Sequence, residues 1–373
     1  MDASQLGSLL PFIAGQARTR DLPLSFLDPS FQDAASWKPQ ARERVLSLLH
    51  YRPDPCDPRA EVVDRVECDG YTHETVHFNT TDALRVPASV LIPTGLTARA
   101  PAIVALHDHG GFYLWGREKL IETADEHPVL SGFKRYYAGR SIASDLARQG
   151  YVVIVIDMFY WGERRYLLGD DAADWTTRSG LSSERIDEFN ARAGASEQLV
   201  ARSIYTAGFT WSGVMFWDDL RTVDYLITRT EVDPERIGCV GLSVGGYRSL
   251  HLVALDDRIK AAVVVGWMAS FPSQLAHHMP HSIGFTKLVP GLYQHMDLPD
   301  VAAMAMPAHL LVINGDQDGL FAIDGVRACF HQLAASYRKA GIPERFRGSL
   351  YAAPHEFNAA MQAEAWSWFA DHL

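Results

Sequence analysis

One serine lies in a spacing that suits nucleophilic catalysis. Ser243 stands between glycines in the stretch Gly241–Gly245, which reads G-L-S-V-G. The apolar run Arg236–Val240 before it has the length of a buried strand, and residues 246–255 after it have a helical pattern. A tight strand-to-helix turn strains the serine and exposes its hydroxyl, and glycines flank it because side chains there would collide with neighbouring backbone. The pattern therefore predicts that Ser243 is a nucleophile.

A serine hydroxyl becomes nucleophilic when a base takes its proton and an acid orients that base. In a strand-turn-helix setting the partners follow in the order serine, acid, histidine. Asp318 comes after the strand-like run Leu310–Ile313 and lies beyond the strand end, free to aim at an imidazole. Asp316 is nearer the strand and more typical of a turn-capping residue. We expect Asp318 to be the acid, with Asp316 as the alternative; poorer candidates, in a helix end or an insertion, are Asp256, Asp257, Asp297 and Asp300.

Three histidines follow the predicted acid. His331 lies inside a predicted helix, and His372 is the penultimate residue. His355 lies between the last predicted strand and the last predicted helix, in a loop that opens at a carboxyl strand end. We therefore predict that His355 is the base.

Acyl transfer also needs backbone N–H donors for the oxyanion that forms in the reaction. Val244, directly after the nucleophile, is expected to supply one donor. The loop Leu106–Phe112, which follows the first parallel strand, is expected to supply the other through His109 and Gly110, since glycine lets backbone approach a substrate closely. The H-x-H spacing of His107 and His109 could suggest a metal, but no third ligand has a suitable spacing. The same holds for the isolated run of residues 277–281, so neither a metal nor a cofactor is expected.

The order of strand-like and helical runs predicts the fold class. Residues 1–60 are expected to form a helical N-terminal extension to a main domain of residues 61–373. Antiparallel strands are predicted at Val62–Cys68, Thr72–Phe78 and Val86–Ile92. From residue 101 onward strands and helices alternate, which indicates an α/β protein with a doubly wound, mostly parallel sheet. The strands are predicted at Ala102–Leu106, Tyr151–Ile156, Arg236–Gly241, Ala261–Val265, Leu310–Ile313 and Gly348–Tyr351, and the main helices at 140–149, 215–229, 245–255, 323–340 and 357–372.

Two aromatic-rich insertions, residues 158–214 and 267–308, interrupt the alternation. Both leave the sheet at carboxyl strand ends, where such folds place their chemistry, so we expect them to form a cap over the site. Trp161, Trp267 and Met268 are expected to narrow the acyl side of a substrate pocket. Alternatively, the aromatic residues pack inward as a small core of their own.

Composition limits the partners. The chain of 373 residues has a net charge of −11 without a basic cluster, which argues against nucleic acid or an anionic membrane as a partner. The four cysteines are too scattered for a disulfide framework, and the N-terminus has no cationic leader pattern. A cytoplasmic protein is therefore expected. The sequence does not determine the oligomeric state, so a homo-oligomer is one of the alternatives.

Taken together, residues 60–373 resemble the α/β-hydrolase superfamily, and more narrowly its bacterial branch of acetyl xylan esterase-like and dienelactone hydrolase-like proteins. The matching motifs are Leu106–Gly111, Gly116–Lys119, Asp157 with Trp161–Arg165, Val232–Gly238, Ala254–Ile259 and Gly315–Asp318. Dienelactone hydrolases proper use a cysteine nucleophile, whereas this chain has Ser243. The resemblance implies a serine carboxylesterase that removes short acyl groups, in particular acetyl, from a carbohydrate or another small molecule.

The residues leave other activities open. A peptidase, a lactonase or a C–C bond hydrolase would use the same triad. A catalytically silent ligand-binding protein on the hydrolase fold is the alternative from another class.

Overall fold

A mixed sheet forms the centre of the protein. The computed structural model describes residues 4–18 and 21–373, and within these residues nine strands form a single sheet. The strands are β1 Glu61–Cys68, β2 Tyr71–Asn79, β3 Arg85–Pro93, β4 Ala100–Leu106, β5 Val152–Ile156, β6 Val232–Leu242, β7 Ile259–Val265, β8 His309–Gly315 and β9 Phe346–Tyr351. Their order across the sheet is β1-β2-β3-β5-β4-β6-β7-β8-β9.

The strand directions divide the sheet into two parts. Strands β1, β2 and β3 form an antiparallel meander, and β3 pairs antiparallel with β5. From β5 to β9 all neighbours are parallel. This arrangement confirms the predicted α/β class with N-terminal antiparallel strands. It also brings the carboxyl ends of β4, β6, β7, β8 and β9 to one edge, where ligands bind in such sheets.

Helices precede β1, connect the strands from β4 onward and follow β9. They are α1 Leu10–Arg18, α2 Ala34–Leu49, α3 Pro128–Phe133, α4 Ile142–Arg148, α5 Ala173–Thr177, α6 Ser183–Thr206, α7 Trp211–Leu226, α8 Val244–Leu255, α9 Phe271–Gln274, α10 Met279–Ser282, α11 Leu298–Ala303, α12 Ile323–Lys339 and α13 Ala359–His372. In the described residues, none of these helices combines the length and the apolar character needed to cross a bilayer.

The helix predicted at 215–229 begins earlier than its apolar pattern indicates. Thr210 caps α7, because its Oγ1 accepts a hydrogen bond from the backbone N–H of Gly213 at 2.9 Å. Trp211 is therefore the first residue of a core helix. The insertion predicted at 158–214 consequently ends before residue 211, and its longest element is the helix α6.

Successive residues of β6 point to opposite faces of the sheet, and their contacts show that helices cover both faces. A Cβ atom on Gly238 would lie 2.8 Å from Leu373 and 2.9 Å from Phe369, next to α13. The next residue, Cys239, points to the opposite face, where its Sγ donates to the carbonyl of Ser249 in α8 at 3.5 Å. The sheet is thus covered by α13 on one face and by α8 on the other.

The N-terminal helix α2 packs into the same core. Its residues Trp37, Ala41, Val45 and Leu49 recur along one face and are buried. They belong to the hydrophobic cluster that includes the sheet. The second insertion, residues 267–308, contains α9, α10 and α11 together with short 3-10 turns.

A buried ion pair holds α8 against α7. Arg248 donates to Asp219 through Nε at 3.0 Å and through Nη2 at 2.6 Å, and the side chains are 0% and 1% exposed. Because α8 begins directly after Ser243, this pair anchors the helix that carries the predicted nucleophile.

We expect Arg248→Met to lower the free energy of unfolding by about 3–5 kcal/mol, because it leaves the Asp219 carboxylate buried without its counter-charge. Urea denaturation measures the change. The double variant Arg248→Met, Asp219→Leu removes both charges and should recover most of the loss. A single variant as stable as the double variant would contradict the assignment.

Candidate active site

Ser243 occupies a strained turn between β6 and α8. Its backbone angles are φ 60° and ψ −123°, in a region that residues other than glycine rarely adopt. The Ser243 N–H donates to the carbonyl of Val265 at 2.9 Å, which ties the turn to β7. A Cβ atom on Gly245 would lie 1.9 Å from the carbonyl oxygen of Leu106. Only glycine therefore lets α8 start this close to the end of β4.

His355 and Asp318 form a hydrogen-bonded pair. The distance between His355 Nδ1 and Asp318 Oδ2 is 2.6 Å, and the Asp318 side chain is 1% exposed. An ionised carboxylate only accepts hydrogen bonds, so in the neutral imidazole Nδ1 carries the proton and Nε2 has a free lone pair. Within the described part of the chain, His355 Nε2 is buried and has no hydrogen-bond partner. The ring is thus oriented with an unprotonated nitrogen available.

Asp316 lies in a different environment. It is exposed, and its backbone N–H donates to the carbonyl of Tyr351 at 2.9 Å. By contrast, the second oxygen of Asp318 accepts from the backbone N–H of Leu320 at 2.9 Å, which holds that carboxylate in place. The structure therefore pairs His355 with Asp318 and leaves Asp316 in solvent.

A cavity of about 510 Å³ lies at the carboxyl edge of the sheet. Seven of the residues singled out in the sequence line its wall: His109, Gly110, Ser243, Val244, Trp267, Asp318 and His355. Lys287 and Ser282, from the second insertion, line it as well, whereas the first insertion contributes no lining residue.

The loop after β4 is oriented by a buried lysine. Lys119 Nζ donates to the carbonyl of Asp108 at 2.9 Å and to the carbonyl of His109 at 3.1 Å, and the side chain is 0% exposed. In a trans peptide the C=O and the following N–H point in opposite directions. Lys119 therefore turns the N–H groups of His109 and Gly110 away from itself, and none of the described residues accepts a hydrogen bond from them.

The burial of Lys119 affects its own charge. Loss of solvent lowers the pKa of its ammonium to about 8, while the neighbouring Asp108 carboxylate, 3.6 Å away, acts to raise it. Asp108 in turn accepts from the hydroxyl of Tyr137 at 2.6 Å. The loop is thus held by buried polar contacts beneath it.

Gly110 has a conformation and surroundings that require glycine. Its φ is 56°, and a Cβ there would lie 2.4 Å from the ring of Phe133 and 2.5 Å from Asp108 Oδ2. Val244 is the first residue of α8, so its N–H has no intrahelical acceptor. These N–H groups are available as hydrogen-bond donors.

The ring nitrogens of both histidines in the loop are engaged. His107 Nδ1 donates to the Asp108 carbonyl at 2.9 Å, and its Nε2 accepts from Met158 N–H at 3.0 Å. His109 Nε2 lies 2.7 Å from Glu197 Oε1, and its Nδ1 accepts from Gly111 N–H at 3.0 Å. In residues 4–18 and 21–373, no group of three or more His, Cys, Asp or Glu side chains is placed to hold a metal ion.

Trp161 and Met268 do not lie on the cavity wall, contrary to the expectation from the sequence. Trp161 is fully buried and is not a lining residue, and its indole N–H donates to the His109 carbonyl at 3.2 Å. Met268 is also fully buried. Their aromatic and apolar surfaces are covered by core packing, so of the three expected pocket residues only Trp267 faces the cavity.

A family model described as the Abhydrolase family matches residues 22–365. The chain belongs to this family. The match begins at residue 22 and therefore includes α2. The resemblance based on sequence motifs began only at residue 60 and left this helix outside.

Individual relatives agree with the family. This Abhydrolase chain is 27% identical over 332 residues to YtaP of Bacillus subtilis (strain 168), which is described as a hydrolase; the match covers 87% of this chain and 96% of YtaP. A Bacteroides fragilis NCTC 9343 protein described as an acetyl xylan esterase is similar with a TM-score of 0.70 and 17% identity, over 91% of this chain and 81% of that one. A glucuronoyl esterase from Solibacter usitatus is similar with a TM-score of 0.64 and 15% identity, over 94% and 97% of the two chains. At these identities the two structures establish the α/β-hydrolase fold.

Three charged residues near the cavity were not identified from the sequence. Lys119 belongs to the motif Gly116–Lys119, which by itself assigns it no role, while Lys287 and Glu197 lie in insertions without a motif. An isolated charge in a helical or loop segment is usually solvated, so its sequence setting carries no signal of burial. Their positions follow from the folding of the two insertions against the loop after β4.

We expect Lys119→Met to slow the labelling of Ser243 by a fluorophosphonate probe by about 100-fold, because the freed peptide groups no longer aim their N–H donors at one point. Intact-protein mass spectrometry measures the rate. Lys134→Met is the matched control, since Lys134 is a buried lysine that donates to the Ile121 carbonyl at 2.7 Å, and neither residue lines the cavity. Equal slowing in both variants would indicate a general loss of stability rather than a role in orienting the loop.

Proposed function

We propose that this protein is a serine carboxylesterase that hydrolyses short-acyl esters, in particular acetyl esters, of a carbohydrate or another small molecule. The observation that carries the proposal is the His355–Asp318 pair: His355 lines the same cavity as the strained Ser243, and its Nε2 has no hydrogen-bond partner among the described residues. A nucleophile, an oriented base and free N–H donors around one cavity are the parts that acyl transfer requires.

The first half of the reaction forms an acyl-enzyme. Ser243 Oγ attacks the acyl carbon of the ester while His355 Nε2 takes the Oγ proton. The carbonyl oxygen becomes an oxyanion, which the N–H groups of Val244 and of the loop at His109 and Gly110 stabilise. The C–O bond then breaks, and His355 returns the proton to the departing alcohol oxygen.

The second half releases the acid. A water molecule loses a proton to His355 Nε2 and attacks the acyl carbon, and the second tetrahedral intermediate collapses with protonation of Ser243 Oγ. Asp318 stays ionised throughout, because its task is to hold the tautomer and to stabilise the imidazolium.

Trp267 supports a limit on acyl length. It lines the cavity of Ser243 and also a more enclosed apolar pocket of about 190 Å³, so it forms part of the wall between them. Its ring packs edge-on against Phe321 with centroids 5.4 Å apart and against Tyr247 at 5.0 Å, which holds it in place. A rigid indole at this position leaves room for a small acyl group beside Ser243.

A cytoplasmic location belongs to the same proposal. All four cysteines, each within the described ranges, are free thiols. Free thiols are usual for proteins of a reducing compartment.

We expect Ser243→Ala and Asp318→Asn each to lower kcat for p-nitrophenyl acetate by about 10⁴-fold, the first by removing the nucleophile and the second by stabilising the wrong histidine tautomer. Asp316→Asn is the matched control and should stay near wild type, because that carboxylate is exposed. Steady-state kinetics measure all three variants. If Asp316→Asn lost activity and Asp318→Asn retained it, Asp316 and not Asp318 would be the acid of the triad.

We expect kcat/KM of the wild type to peak between acetyl and butyryl p-nitrophenyl esters and to fall steeply by octanoyl. Trp267→Leu should shift the optimum towards longer chains, because it opens the neighbouring apolar pocket and each methylene that is buried there contributes about 0.8 kcal/mol. A wild-type optimum at octanoyl or longer would contradict the short-acyl proposal.

A further inference from the structure

Lys287 places a cation at the wall of the Ser243 cavity. It ends the 3-10 turn Phe285–Lys287 in the second insertion and lines both the cavity and the adjoining apolar pocket. Other charged lining residues already have partners: Asp318 is bonded to His355, and Asp108 to Tyr137. Among the described lining residues, Lys287 is therefore the charged group that remains available to a ligand.

In the described part of the chain, Lys287 Nζ has no hydrogen-bond acceptor and no carboxylate within ion-pair distance. The counter-charge that acts on it is Glu197, whose Oε1 accepts hydrogen bonds from His109 Nε2 at 2.7 Å and from the Tyr113 hydroxyl at 3.0 Å. Glu197 does not line the cavity. Burial lowers the pKa of the Lys287 ammonium, and the charge of Glu197 acts to raise it. An ammonium that lacks a direct acceptor is stabilised by an anion that enters the cavity.

The backbone that carries Lys287 is held by hydroxyl groups from three helices. The Tyr205 hydroxyl, on α6, donates to the carbonyls of Phe285 at 3.1 Å and Leu288 at 3.0 Å. The Ser212 hydroxyl, on α7, donates to the Thr286 carbonyl at 3.2 Å. The Tyr247 hydroxyl, on α8, donates to the carbonyl of Lys287 itself at 3.2 Å. A cation on an anchored segment can recognise a ligand without paying the cost of ordering a loop.

We propose that Lys287 recognises a carboxylate on the substrate, so that the esters processed at Ser243 carry a negative charge in addition to the ester group. This inference rests on the proposed esterase function and narrows its substrate class. A hydrogen bond between an ammonium and a carboxylate in a partly dehydrated site is stronger than one between neutral groups. The charge thus selects an acidic ester over its neutral analogue of the same shape.

Two matched substrate pairs test the proposal. In one pair, 4-acetoxybenzoate and 4-acetoxybenzamide, the charge is on the leaving alcohol; in the other, monomethyl glutarate and its monoamide, it is on the acyl group. We expect the wild type to prefer the acid over the amide in at least one pair, measured as the ratio of kcat/KM. Lys287→Met should reduce that ratio by about tenfold or more, and Lys287→Arg should retain it, since arginine keeps the charge.

Lys260→Met is the control for net charge. Lys260 lies near the amino end of β7, at the sheet edge opposite to the cavity. Its replacement by methionine should therefore leave the acid-to-amide ratio of kcat/KM as in the wild type. The inference is overturned if the acid-to-amide ratio of kcat/KM is the same in the wild type and in Lys287→Met for both pairs. This result includes the case in which Lys287 binds neutral hydroxyl groups, because the variant then slows all four substrates alike.

A binding measurement separates this inference from the proposed function. If none of the four esters is hydrolysed in a Ser243-dependent way, the esterase proposal fails. Calorimetric binding of 4-acetoxybenzoate to Ser243→Ala then still tests Lys287. If the double variant Ser243→Ala, Lys287→Met no longer binds 4-acetoxybenzoate, recognition of the anion by Lys287 is supported. If the double variant binds it as tightly as Ser243→Ala does, that recognition is contradicted.

Discussion

The contact between Gly245 and the end of β4 is the constraint on which the site depends. A Cβ at Gly245 would lie 1.9 Å from the Leu106 carbonyl, so α8 can start beside β4 only because this position has no side chain. That approach occurs two residues after the strained turn at Ser243 and places the turn beside the loop that follows Leu106. The nucleophile and the predicted oxyanion donors are therefore brought together by the packing of one helix start on one strand end.

The surrounding structure keeps this arrangement rigid. Lys119 holds the loop carbonyls from below, and Trp161 donates to the carbonyl of His109 as well. The first insertion reaches the loop through Glu197, which binds His109, whereas the second insertion supplies the cavity wall. The two insertions thus act differently: one supports the loop from outside, and the other shapes the space for the substrate. Preorganised donors of this kind avoid reorganisation during the reaction.

Much of the fold and the triad arrangement follows from the sequence, because both depend on local order. The strands are apolar runs bounded by turn residues, and Ser243, Asp318 and His355 each follow a strand at its carboxyl end. The pocket residues could not be assigned in the same way. Trp161 and Trp267 both follow strand ends and look alike in sequence, yet one is buried behind the loop and the other faces the cavity. Lys119 and Lys287 carry no local signal, since burial of a lone lysine is decided by contacts between distant segments.

Trapping of the acyl-enzyme tests the central claim most directly. The wild type is mixed with an excess of p-nitrophenyl acetate, quenched in acid within the first turnovers and digested for peptide mass spectrometry. The account predicts one acetyl group on Ser243, formed in a burst of p-nitrophenol equal to the enzyme concentration if deacylation is slower than acylation. Turnover with the acetyl group on a residue other than Ser243 would contradict it. So would turnover by Asp318→Asn, in which deacylation is slowed, without an acetyl group on any residue.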